Sequence, residues 1–99
     1  MKRVEILEFR ECVRNSLLGF IKVGLPSGLI ICDLTLHRQG ARRWVNPPSR
    51  KFIKSDGADA WARLVDFKDR DTEHAFSDLV LAAFDAWQAN GGSHDGDEL

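Results

Sequence analysis

One apolar stripe of helical period, late in the chain, sets what the rest of this sequence can fold into. Phe76, Leu79, Val80, Ala83, Phe84 and Trp87 fall at i, i+3, i+4, i+7, i+8 and i+11, a single broad face. Asp69-Arg70-Asp71-Thr72 offers two candidate N-caps, and Glu73 suits the positive end of the helix dipole. Asn90-Gly91-Gly92 supplies the stop, so the spacing predicts a helix ending near Gln88. A lone amphipathic helix must bury its stripe against another layer, and the residues before it read as strands.

Val4–Val13 is expected as a first strand. Val4 and Ile6 share one face, whereas Leu7 and Phe9 share the other, a slip in phase that a β-bulge near Leu7 would produce. Arg14-Asn15-Ser16 reads as a turn, and Leu17–Leu25 as a second strand with Leu17, Ile21, Val23 and Leu25 on one face around Gly19. Pro26-Ser27-Gly28 closes a hairpin onto Leu29–His37, the clearest strand. There Ile30, Cys32, Leu34 and Leu36 alternate with Ile31, Asp33, Thr35 and His37. Gln39-Gly40 turns the chain into Ala41–Asn46, with Arg42, Trp44 and Asn46 pointing one way and Arg43 and Val45 the other. Pro47-Pro48 ends that strand, because proline donates no ladder hydrogen bond. Ser49–Ala60 is expected as loop, and Trp61–Phe67 as a fifth strand with Trp61, Val65 and Phe67 inward.

A chain of 99 residues is expected to form one domain with a thin core, over residues 1–90, followed by an acidic, disordered tail over 91–99. Hydrophobic residues at 43% and charged ones at 29% fit a soluble globular protein. No apolar run is long enough to span a bilayer. Glu5 interrupts the place where a signal peptide would need its apolar core, so a cytoplasmic protein is expected. Cys12 and Cys32 sit in strand-like segments and are expected to be buried free thiols.

Charge is unevenly distributed inside a formal net charge of −1. Residues 34–54 carry six cations and no anion, whereas 55–99 carry three cations and eleven anions. Trp44 and Phe52 are interleaved with those cations. Arg42, Arg43, Arg50, Lys51 and Lys54 are therefore the candidate phosphate contacts, with Trp44 or Phe52 stacking on a base. Trp44 suits a base or a dimer interface equally well. An alternative assigns the basic patch to an acidic protein partner or to the chain's own acidic tail. A purely structural role, with arginines lying over an apolar sheet, is the third reading.

From about Ser16 the chain resembles the SpoVG family of small bacterial nucleic-acid-binding regulators, which includes phage-borne relatives. LLGFIKVGLPSGLIICDLTLH (17–37), GARRWVNPPSRK (40–51) and WARLVDF (61–67) carry the resemblance, with Pro48-Ser49-Arg50-Lys51 matching the family's Pro-Ser-basic-basic element. The resemblance implies an antiparallel sheet with a C-terminal helix, a dimer formed through a strand, and DNA or RNA bound by the basic element. Two positions depart from the pattern: Pro47 stands where methionine is common, and Asp66-Phe67 where the family has His-Pro-Ile.

Enzyme chemistry finds little to stand on. His37, His74, His94, Cys12 and Cys32 have no metal-ligand spacing, and no nucleophile motif or phosphate-binding glycine loop is present. Asp69 and Asp71 read as helix caps rather than an acid–base pair. The expected protein is thus an α+β domain, a sheet of four to five antiparallel strands followed by one helix. It is expected to dimerise, to bind nucleic acid without cofactor or metal, and to be neither an enzyme nor a membrane protein.

Overall fold

A computed structural model describes residues 4–92. The elements are β1 (Glu5–Arg14), β2 (Leu17–Gly24), β3 (Ile30–Gln39), β4 (Arg42–Asn46), β5 (Ser49–Ile53), β6 (Asp59–Arg63) and α1 (Arg70–Ala89). The first four strands form one antiparallel sheet in chain order, and β5 and β6 form a separate two-stranded antiparallel sheet. The fold is α+β with a single C-terminal helix, as expected. The tail expected over 91–99 lies almost wholly outside the described residues.

Bulges set which face each strand shows. In β1 the register shifts between Ile6 and Glu8, so Leu7 is extra and both Ile6 and Phe9 reach the core. In β3 a shift sets Cys32-Asp33 against Lys22 of β2, with Asp33 at φ 63. That left-handed residue reverses the phase, so Ile31, Leu34 and Leu36 face inward while Ile30 is 54% exposed. The uniform alternation expected for this strand therefore fails at Asp33. Cys12 and Cys32 are both exposed, not buried as expected: Cys12 lies in the end of β1, where residues 10–14 are exposed on both faces, and Cys32 falls on the outward side of the β3 bulge.

The core lies on one face of the four-stranded sheet, under α1. Ile21, Val23, Leu34, Leu36 and Val80 are almost completely buried there, and Phe84 meets Phe9 edge-on with rings 4.9 Å apart. Gly19 sits beneath the Phe9 ring, where a Cβ would come within 2.5 Å of it. Of the predicted helical stripe, Leu79 stays 47% exposed, and the buried set includes Ser77. The Ser77 hydroxyl accepts from Val45 N–H (2.9 Å) on β4, an edge strand, so the helix satisfies part of the edge it covers.

Both helix ends are closed by the residues expected to do so. The Asp69 carboxylate accepts from Thr72 N–H at 2.7 Å. At the other end Gly92 N–H bonds Trp87 O and Gly91 N–H bonds Gln88 O, with Gly91 at φ 83. No helix among the described residues is long and apolar enough to cross a membrane.

Residues 49–63 correct the sequence expectation. Ser49–Ile53 is a strand, not loop, and pairs with Asp59–Arg63, so the strand expected at Trp61–Phe67 starts earlier and ends at Arg63. The Ser55-Asp56-Gly57 signal makes a hairpin turn: Lys54 N–H reaches Ala58 O, and the Asp56 carboxylate accepts from Ala58 N–H. Trp61 was expected inward and is 64% exposed. Val65 and Phe67 are half-buried, with Phe67 against Phe76 at 5.4 Å between rings.

Candidate nucleic-acid interface

The fold divides the basic segment between three surfaces. On β4 the expected alternation holds. Arg43 lies on the helix side with Val45, and donates two hydrogen bonds to Asp85 of α1 at 2.9 and 2.8 Å. That paired fork holds the Asp85 carboxyl below the usual carboxylate range. Arg43, one of the expected phosphate contacts, fastens the helix to the sheet edge through this pair. Arg38 pairs with Arg43 across β3 and β4, and Asp85 offsets part of that like-charge contact.

Arg42 and Trp44 lie on the other face, which α1 leaves uncovered. The Arg42 guanidinium sits 5.1 Å above the Trp44 ring, and Trp44 stacks on His37 with centroids 5.4 Å apart and planes 6° from parallel. The two His37 nitrogens lie 3.0 Å from the Ser16 and Thr35 hydroxyls, so the neutral ring donates to one and accepts from the other. Burial pushes the His37 pKa below that of a free imidazole, which favours this neutral form.

The β5–β6 hairpin carries the remaining four. Lys51 shares a face with Trp61, its cross-strand partner. Its ammonium lies 5.9 Å above that ring and 3.2 Å from Asp59. Arg50 and Phe52 occupy the opposite face, against Ala62 and Ala60. Every residue of β5 is exposed. Among the described residues, Arg38, Arg42, Arg50 and Lys54 have no carboxylate partner.

What holds the hairpin to the rest of the chain is Arg63. It bonds Glu73 in the first turn of α1 (2.6 and 3.2 Å) and Asp66 (2.9 Å), while Leu64 N–H bonds Pro48 O as the closing rung of the hairpin itself. Arg63 draws the Glu73 pKa down. Asp66 is lowered first by the Phe67 N–H and then by Arg63. Asp66 and Phe67 thus help anchor the hairpin and the helix through their own contacts.

Several residues that the sequence did not single out join the uncovered face. Arg10 of β1 lies 5.0 Å above the Phe20 ring of β2 and 2.9 Å from Asp33 of β3. A groove of about 600 Å³ runs between this face and the hairpin, and Arg10, Arg14, Phe20, His37 and Trp61 line it. Phe20 and His37 were marked only by their phase, opposite to buried Ile21 and Leu36. Among the described residues no group of three or more His, Cys, Asp or Glu side chains is placed to hold a metal ion. Comparison with protein-family models, with curated proteins and with solved structures finds no match to this chain.

Proposed function

We propose that the protein is a small SpoVG-like nucleic-acid-binding regulator that contacts DNA or RNA phosphates with the cations of residues 38–54. The observation that carries this reading is the set of unmatched cations beside exposed aromatics. Residues 34–54 contain no carboxylate. The fold brings Asp85 to Arg43 and Asp59 to Lys51, leaving Arg38, Arg42, Arg50 and Lys54 without a carboxylate among the described residues. Lys51 and Asp59 are both half-exposed, so their pair exchanges for a phosphate at little cost. Phe52, 38% exposed, lies on the Arg50 face of the hairpin and offers a stacking surface there.

A cytoplasmic homodimer without a cofactor belongs to the same proposal. An isolated two-stranded hairpin is marginal in water, and here Ile53 and Leu64 are 63% and 62% exposed, which suits pairing with a second copy. Native mass spectrometry tests the dimer: a clean 11.2 kDa monomer at micromolar concentration contradicts it.

The binding test is a titration of labelled single- and double-stranded DNA and RNA at low salt. Saturable binding that weakens as salt rises is expected, because phosphate contacts release counterions. Absence of binding to every form refutes the reading, and the basic patch is then assigned to an acidic protein partner.

A further inference from the structure

We propose that the groove between the uncovered sheet face and the β5–β6 hairpin is a base-stacking track that selects single-stranded over double-stranded nucleic acid. This rests on the nucleic-acid reading above and adds a second surface to it.

The sheet wall of the groove carries Phe20 and His37, and the stripe they begin continues past the groove to Trp44, with a guanidinium over each end of the stripe. Phe20 on β2, His37 on β3 and Trp44 on β4 share the face opposite the helix. His37 is paired directly with Trp44, and Phe20 is paired with Thr35, two residues from His37 on that face. Arg10 covers Phe20 and Arg42 covers Trp44. Across the groove stands Trp61, 64% exposed, with Lys51 over its ring. Nothing in the fold of the described residues buries this indole, and a tryptophan left in water on a hairpin calls for a ligand that supplies apolar contact.

The charge of the groove argues for an anionic occupant. Arg10 and Arg14 line it against the one carboxylate of Asp33, which Arg10 already neutralises at 2.9 Å. Arg14 has no carboxylate partner among the described residues. The combination of flat aromatic surfaces with the unmatched Arg14 guanidinium fits a sugar-phosphate chain with bases turned out toward the protein. A duplex keeps its base faces inside the stack and presents none of them to Phe20, Trp44 or Trp61. The volume, about 600 Å³, lies within the usual range of about 300–1,000 Å³ for ligand sites.

The test uses the full chain, a labelled single strand of about 12 nucleotides and the matching duplex, at one salt concentration and then across a salt series. The parent is expected to bind the single strand about ten-fold or more tightly than the duplex, with quenching of tryptophan fluorescence. Trp61→Ala is the deciding variant, since removal of an exposed side chain leaves the fold intact. It should weaken single-strand binding about five-fold or more, leave duplex binding unchanged and keep the same salt slope, whereas Trp61→Phe restores most of the loss. Phe20→Ala, checked by circular dichroism for folding, should act in the same direction. Equal affinity for single strand and duplex, or single-strand binding untouched by Trp61→Ala, overturns the track. If Arg50→Ala still weakens binding in that case, the phosphate-contact reading survives alone. Binding of an acidic peptide in place of any oligonucleotide overturns both.

Discussion

The four-stranded sheet with its helix and the β5–β6 hairpin are held together by different physics. In the first, eleven hydrophobic side chains from Val4 to Phe84 are buried in one cluster, and the helix is closed at both ends. In the second, all of β5 is exposed, and its side-chain attachment to the helix is through Arg63. Burial of apolar area is the main source of stability, so the sheet and helix determine whether the chain folds. The hairpin contributes little to that and carries Arg50, Lys51, Phe52, Lys54 and Trp61 into solvent. Loosely held elements of this kind are where binding surfaces are usually found.

Substitutions at matched aromatics give the largest contrast. Phe84→Ala removes a ring that is 3% exposed and packed on Phe9, and should cost about 3–5 kcal/mol, enough to abolish cooperative unfolding in a thermal melt. Trp61→Ala, on the hairpin, should leave the melt within a few degrees of the parent. Similar losses from the two would mean that the hairpin shares the core.

Gly19→Ala probes packing inside the sheet. A methyl beneath the Phe9 ring, 2.5 Å from its nearest carbon, forces the ring or the backbone to move, and a loss of about 1–3 kcal/mol is expected by chemical denaturation. A neutral result would show that β1 and β2 separate more easily than their pairing suggests.

Arg63→Ala addresses the attachment itself. Its pairs with Glu73 and Asp66 lie at the surface, where solvent screening leaves ion pairs little net contribution to global stability. Global melting should barely change, whereas amide exchange over Ser49–Arg63 should speed up. Unchanged exchange would place the attachment elsewhere.

The pH dependence separates the regions more weakly. Burial lowers the His37 pKa in the fold, so between that value and the free imidazole value of about 6.5 the unfolded chain binds the extra proton. His37 therefore leaves stability intact above about 6.5 and reduces it slightly as pH falls below. His37→Gln should remove that slope. Asp85 and Glu73, lowered by Arg43 and Arg63, act in a lower window: their contribution is present above the usual carboxylate pKa of about 4 and is lost as pH falls through their folded values. A melt series from pH 7 to 3 on the parent and on His37→Gln checks both.

The sheet and helix were legible in the sequence because local signals agreed with burial. Asp69 capped the helix, Asn15 and Gly40 marked turns that need positive φ, and the Leu7 bulge showed as a phase slip between Ile6 and Phe9. The β3 bulge was hidden because Asp33, not glycine, takes the left-handed conformation, inside a run that alternates without interruption. The hairpin was missed for a different reason. Burial is the signal that periodicity reports, and Ser49–Ile53 buries nothing, so SRKFI carries no apolar phase and Trp61 was placed inward by the rule that aromatics are core. Within the candidate site, the cations were legible but their partners were not. Asp85 lies 42 residues from Arg43, and only the docking of α1 on β4 brings them together.

Binding by Arg50→Ala with Lys54→Ala, measured beside a thermal melt of the same protein, tests the central division most directly. Both side chains lack a carboxylate partner among the described residues, so no ion pair is broken in making the variant. The account predicts an unchanged melt, weaker binding to every oligonucleotide sequence, and a log K against log salt slope flatter by about 1.4 to 1.8 if both contact phosphate. A variant that melts early, or one that binds with the parent's affinity and slope, would contradict it.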